Sequence, residues 1–265
     1  MPPTSLALVR VGMLSNRFLV LFLAPFIGSF LGVLIERLPN GRPVIFARSA
    51  CERCGHRLAP RDLVPLLSYL IAHGRCRYCQ ARIGAFPLAI ELAALAAALW
   101  AVFASSPETL AITCALGWTL LCLAWIDVRT MLLPDALTLP LMVGGLAATA
   151  FTNAEALMDH TLAAILGWGG LTAAAHLYRL LRGREGLGLG DAKLLGASGA
   201  FLGLDLLPMT VFLAACLGLA AGGAAAVLGR RMTLTTAMPF GPYLALATWL
   251  LWLYGDWLGT GLTFE

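Results

Sequence analysis

The sequence predicts an all-α polytopic membrane protein with about eight transmembrane helices and one small polar module after the first of them. Three observations predict it. Of the 265 residues, 60% are hydrophobic and only 12% charged, against about 25% charged in a soluble domain, and the mean hydropathy is +0.84. Uninterrupted apolar runs of bilayer length recur along the chain. The one sizeable polar stretch, 37–85, holds four of the seven cysteines and nine of the 18 Lys+Arg residues. The formal net charge of +4 does not point to nucleic acid, because the cations flank apolar runs instead of forming a charge run or tail.

Residues 1–17 are a short head of mixed character. Phe18 to Ile35 then gives 18 uncharged residues in a row, about enough to cross a ~30 Å hydrocarbon core. Glu36-Arg37-Leu38-Pro39 follows where a signal peptide would carry a small-residue cleavage site, so the run reads as a first span. Gly28 and Gly32 in it suit close helix packing. Seven further runs follow at 86–104, 109–126, 132–151, 157–181, 192–208, 209–229 and 238–254, with the sixth and seventh spans divided near Pro208. The expected organisation is therefore a head and first span (1–36), a polar module (37–85) and a membrane domain of about seven spans (86–265).

Basic residues set the expected orientation. With the N-terminus outside, 16 of the 18 Lys+Arg face inward, namely Arg37 to Arg82, Arg129, Arg179, Arg182, Arg184, Lys193, Arg230 and Arg231. Arg10 and Arg17 remain outside, where the connectors otherwise carry Glu108, Glu155, Asp159 and Asp205. An even number of spans follows, with both termini outside and the polar module in the cytoplasm.

In that module the spacing Cys51-x2-Cys54-x21-Cys76-x2-Cys79 offers four thiolates in tetrahedral reach, which suits a structural Zn²⁺. About 49 residues without a good core need such a staple. Two disulfides are the alternative, disfavoured by a reducing cytoplasm. Four Cys leave no open position, so the metal would hold the fold rather than act as a catalyst. Cys114, Cys122 and Cys216 lie singly in apolar runs and read as buried hydrophobes.

A carboxylate at a membrane boundary is costly. Asp127 ends the third span, and Asp191 begins the sixth behind Gly186-Leu187-Gly188-Leu189-Gly190. Both fall on the expected cytoplasmic side, where helices distant in sequence can bring them together. Two facing carboxylates sharing a proton can hydrolyse a peptide bond, one activating water and the other protonating the carbonyl oxygen. The competing reading is that each acid caps a helix or pairs with a nearby Arg. Asp135, behind Pro134 at a helix start, reads plainly as such a dipole partner. Lys193 reads as a snorkelling interfacial residue that can also bias Asp191 towards ionisation. No P-loop, histidine metal spacing or Ser–His pairing is present.

These residues, in order, resemble the type IV prepilin peptidases, GxGD-type aspartic proteases of bacterial inner membranes. The resemblance runs through Gly28-Ser29-Phe30-Leu31 to Arg37-Leu38-Pro39, the CxxC pairs, Pro65-Leu66-Leu67-Ser68 and Gly74-Arg75-Cys76-Arg77-Tyr78-Cys79. It continues through Ile126-Asp127 with Met131-Leu132-Leu133-Pro134-Asp135, Gly188 to Leu195, and Pro239-Phe240-Gly241-Pro242. It implies catalytic Asp127 and Asp191, and a multi-pass enzyme of the inner membrane. Its substrates would be prepilin or pseudopilin precursors, cut after a Gly at the end of a basic leader. It further implies methylation of the new N-terminal amine by S-adenosylmethionine, with Gly74, Glu36 and Glu91 as candidate cofactor contacts. Gly32 stands where the family usually has Asn, and Ala85-Phe86-Pro87-Leu88 replaces an Arg-Tyr-Pro-Leu-type stretch. Two alternatives remain at this level: a GxGD protease with another substrate and no methyl transfer, and a small cation-coupled transporter.

Overall fold

The computed structural model describes residues 3–44, 49–51, 53–183, 188–229 and 238–255, with side chains from residue 16 onward. Arg48, Arg184, Gly186, Leu187, Arg230 and Arg231, used in the sequence reading, lie outside the described residues, as does the side chain of Arg10. The architecture is all-helical. Among the described residues the only β pairings are two isolated bridges, both in the cysteine module.

Eight helices are described: α1 (Pro3–Arg37), α2 (Leu67–Ile71), α3 (Phe86–Ala104), α4 (Leu110–Thr130), α5 (Asp135–Thr152), α6 (Leu157–Arg182), α7 (Leu189–Val227) and α8 (Gly241–Tyr254). They follow the apolar runs closely. Two differences have physical causes. Helix α1 extends back through the head, because 4–17 contains no proline and a single glycine, Gly12, to stop it. The division expected at Pro208 falls at Gly203, whose φ of 77° lies in the left-handed region. There Asp159 Oδ2 accepts the Leu204 N–H at 2.9 Å and restarts the helix, while Pro208 stays inside it.

Among the described residues five segments are long and apolar enough to cross a membrane: Asn16–Asn40, Phe86–Ala104, Leu110–Thr130, Asp135–Thr152 and Leu189–Val227. Helix α7 runs 39 residues in two segments that meet at Gly203, about 21 Å before it and about 36 Å after it at 1.5 Å per residue. Helix α8, at 14 residues, spans about 21 Å, and α6 carries Asp159, His160, His176, Arg179 and Arg182.

The chain divides into two compact units, Met1–Trp118 and Thr119–Glu265. In the first, α1 packs on α3. A Cβ at Gly28 would sit 2.7 Å from the Glu91 Cα, so this glycine does serve close packing. Its opposite face leaves Phe18, Phe22, Phe26 and Phe30 exposed, as lipid-facing residues should be. In the second unit α7 packs against α5, α6 and α8. A Cβ at Gly199 would lie 2.6 Å from the Ala163 carbonyl carbon, and Ser198 shares a buried 2.6 Å hydrogen bond with Thr248 of α8. Cys114 and Cys122 are buried as expected, whereas Cys216 is exposed on α7, where an apolar thiol suits a lipid-facing surface.

Candidate active site and metal centre

Asp127 and Asp191 are both buried, at 4% and 9% exposure. Asp127 lies in the last turn of α4 and Asp191 in the first turn of α7. Met131, at φ 53°, turns the chain out of α4, its N–H bonded to the Asp127 carbonyl at 2.8 Å. The connector then brings Leu133 against the start of α7. A Cβ at Gly190 would fall 2.8 Å from the Leu133 Cβ, so only glycine allows this approach. The two acids consequently line one cavity of about 380 Å³, together with Met131, Leu133, Gly188 and Gly190.

Asp127 is held from a third direction. Its Oδ2 accepts the Gly241 N–H at 2.9 Å, at the first residue of α8. A Cβ on Gly241 would stand 2.7 Å from that same oxygen. Asp127 thus caps a helix, as the competing reading has it, but the helix is α8 and not its own. The Asp191 N–H donates to the carbonyl of Gly188, the N-cap of α7, at 3.1 Å, which sets the Asp191 carboxylate in the first turn of that helix. Each carboxylate therefore faces the positive end of a helix dipole. The arrangement keeps two acids in a common cavity with room for water and a substrate backbone, which is what proton-sharing acid–base hydrolysis requires.

At the cavity edge Lys193 Nζ pairs with Asp135 Oδ1 at 2.5 Å. The ammonium expected near Asp191 is thus engaged by the first turn of α5. His176 and Arg179 of α6 also line the cavity. Sequence reasoning singled out neither of them, nor the part played by Gly241. The glycine just ahead of Pro242 at the α8 start was its one available signal.

In the first unit the four cysteines converge. One ligand sulfur from each of Cys51, Cys54, Cys76 and Cys79 lies within 4.8 Å of the others. Cys51 and Cys79 Sγ are 3.9 Å apart, close to the ~3.8 Å edge of a tetrahedron with 2.3 Å Zn–S bonds and far beyond the ~2.05 Å of a disulfide. Both pairs use the same turn. Gly55 (φ 69°) and Gln80 (φ 57°) return their N–H groups to the Cys51 and Cys76 carbonyls, and the bridges Ala50–Arg57 and Arg75–Arg82 close the two loops. Backbone N–H groups of Cys54 and Arg53 hold the Cys51 thiol down, to about 6. Cys79 is pushed up to about 11: the Ala81 N–H is the largest influence and favours the thiolate, but desolvation and three neighbouring sulfurs outweigh it. The donor set fits a structural zinc.

Of the remaining candidates, Gly74 has φ 64° and packs against Tyr69, where a Cβ would meet the hydroxyl at 3.0 Å. Glu91 is buried on α3, and its Oε2 accepts the Leu66 N–H at 2.7 Å. Ser29 of α1 also bonds to it. Glu36 lies in the last turn of α1, and its carbonyl accepts the Asn40 side-chain amide. Gly74 and Glu91 thus both hold the module's own backbone.

Residues 22–105 match the family model described as the bacterial peptidase A24 N-terminal domain, and residues 114–223 that of the type IV leader peptidase family. Similar relatives are prepilin leader peptidase/N-methyltransferases. That of Aeromonas salmonicida (strain A449) is 38% identical over 264 residues, covering 90% of each chain. That of Burkholderia pseudomallei (strain 1026b) is 42% identical over 247 residues, 83% of this chain and 79% of the relative. That of Pseudomonas aeruginosa is 36% identical over 261 residues, 87% of each. No solved structure matches the chain significantly.

Proposed function

This chain belongs to the type IV leader peptidase family, and from that premise we propose that Asp127 and Asp191 form the dyad that removes the leader of type IV prepilins or related pseudopilins. The enzyme is a peptidase with N-methyltransferase activity. One carboxylate, ionised, takes the proton of the attacking water, and the other donates to the carbonyl oxygen of the scissile bond; the roles then reverse as the amine leaves. The observation that carries this reading is the shared cavity of Asp127 and Asp191; the family membership weighs against the transporter alternative.

The inward bias of Lys and Arg supports a cytoplasmic location for the dyad and the cysteine module, in a multi-pass protein of about eight spans in the inner membrane. A precursor whose basic leader stays in the cytoplasm would meet the dyad there. Cys51, Cys54, Cys76 and Cys79 would hold a zinc ion that closes the two turns of the module. S-adenosylmethionine is the methyl donor in this reading and would supply a sulfonium-activated methyl group to the new N-terminal amine. Glu36, Gly74 and Glu91 stay as candidate contacts for it, the last two with backbone duties of their own.

Incubating the purified protein with a pseudopilin precursor, with and without S-adenosylmethionine, tests both activities by mass spectrometry of the product. The expected result is leader loss in both and one added methyl group only with the donor. An intact precursor would overturn the substrate; cleavage without methylation would leave the protease alternative.

A further inference from the structure

The cysteine module presents a surface that neither the metal centre nor the dyad uses. Leu63, Leu67, Leu70 and Ile71, around α2, are 43%, 58%, 60% and 65% exposed. Four large aliphatic side chains standing together in water would be an aggregation liability.

Their depth follows from Glu91. It lies five residues into α3, about 7.5 Å along the axis from Phe86, and its carboxylate holds the Leu66 N–H. Leu66 has φ 60° and ψ −54°, and the Leu67 N–H bonds to the Pro65 carbonyl at 2.6 Å. This is a γ-turn of the rare, strained kind, and it persists because the buried carboxylate fixes its amide. The turn therefore pins the start of α2 beside a membrane-spanning helix, well below the point where that helix begins.

The chain on either side of this surface is basic. Arg61, Arg75 and Arg82 are exposed, and of the module's acids Asp62 is already paired with Arg77 at 3.1 Å. Aliphatic side chains at the depth of a span's first turns, flanked along the chain by exposed arginines, match the boundary of an anionic bilayer.

We propose that Leu63–Ile71 is a non-spanning, lipid-inserted element that anchors the cysteine module in the headgroup and acyl boundary of anionic phospholipid. The Glu91–Leu66 hydrogen bond sets its depth, and Arg61, Arg75 and Arg82 engage lipid phosphates. The proposal is independent of the peptidase assignment and rests only on α1 and α3 as spans.

The test uses full-length, zinc-loaded protein with benzoylphenylalanine in place of Leu70 or Ile71, in nanodiscs of phosphatidylethanolamine and phosphatidylglycerol. After illumination, mass spectrometry should find phospholipid adducts at both positions, well above those at an Arg53 control. Phosphatidylglycerol should be severalfold over its mole fraction. The pair Arg61→Gln and Arg75→Gln should remove that excess while the adducts at Ile71 persist. Crosslinks to a second copy of the chain or to an added prepilin precursor would overturn the lipid assignment, as would adducts no more abundant than at Arg53. Phosphatidylglycerol at its bulk share would overturn the role of the arginines.

Discussion

The Gly241 N–H donates a 2.9 Å hydrogen bond to Asp127 Oδ2, joining residues 114 positions apart at the start of α8. A side chain there has nowhere to go, since its Cβ would stand 2.7 Å from that oxygen. Gly241→Ala should push the carboxylate from its place and lower leader cleavage by about tenfold to a hundredfold, the scale of a misplacement near 1 Å. Gly170→Ala on α6, with open space around its Cβ, should leave cleavage unchanged. Both are read from initial rates on one precursor.

The metal centre makes a prediction with a sign. Zinc needs four thiolates, so each proton it displaces makes binding weaker by about tenfold per pH unit of acidification. Cys79, raised to about 11, holds such a proton at neutral pH, whereas Cys51, lowered to about 6, is largely ionised there. Zinc affinity should therefore rise with pH through the neutral range, and chelation should be easier at pH 6 than at pH 8. Native mass spectrometry should count one zinc per chain, lost in Cys51→Ser and kept in Cys216→Ser.

Asp135 and Lys193 form an ion pair whose acid is 58% exposed, and such pairs contribute at most about 1 kcal/mol. Asp135→Asn should consequently reduce cleavage by less than about tenfold. The reversed pair, Asp135→Lys with Lys193→Asp, should recover more activity than either single change. Rates for the three variants decide it; abolished cleavage in Asp135→Asn would make Asp135 a reacting group instead.

Asp159 restarts α7 after Gly203 by accepting the Leu204 N–H. Its loss in Asp159→Ala should cost about 1 kcal/mol, the usual worth of an N-cap. Gly203→Ala should cost more, because the residue has φ 77° and its Cβ would meet Asp159 Oδ2 at 2.6 Å. Thermal unfolding in detergent, with cleavage as a second readout, measures both.

Much of this was legible in the chain. Helices α3, α4, α5 and α6 begin and end within about four residues of their apolar runs, because their charged residues gather towards the helix ends and the connectors carry the turn formers. The cysteine spacing announced its cluster, and the two acids announced themselves as charges out of place. What stayed hidden was carried by backbone contacts between distant segments. Nothing in the residues near Pro208 shows that the break belongs to Gly203, since the stabilising carboxylate comes from α6. Gly241 gave no sign of its partner, for a main-chain donor leaves no residue type behind. Lys193 lies two positions from Asp191, yet its ammonium reaches Asp135 instead. Nothing in the residue type of Glu91, a candidate cofactor contact, shows that its carboxylate also holds the strained turn at Leu66.

The central claim is that Asp127 and Asp191 act as one acid–base pair. The most direct measurement is leader cleavage by purified, folded Asp127→Asn and Asp191→Asn, each compared with the unaltered protein at saturating precursor. An amide can neither activate water nor pass a proton, so each change should lower turnover by at least about 10²-fold, and the double variant should be little worse than either single one. Near-normal cleavage by either variant would contradict the pair.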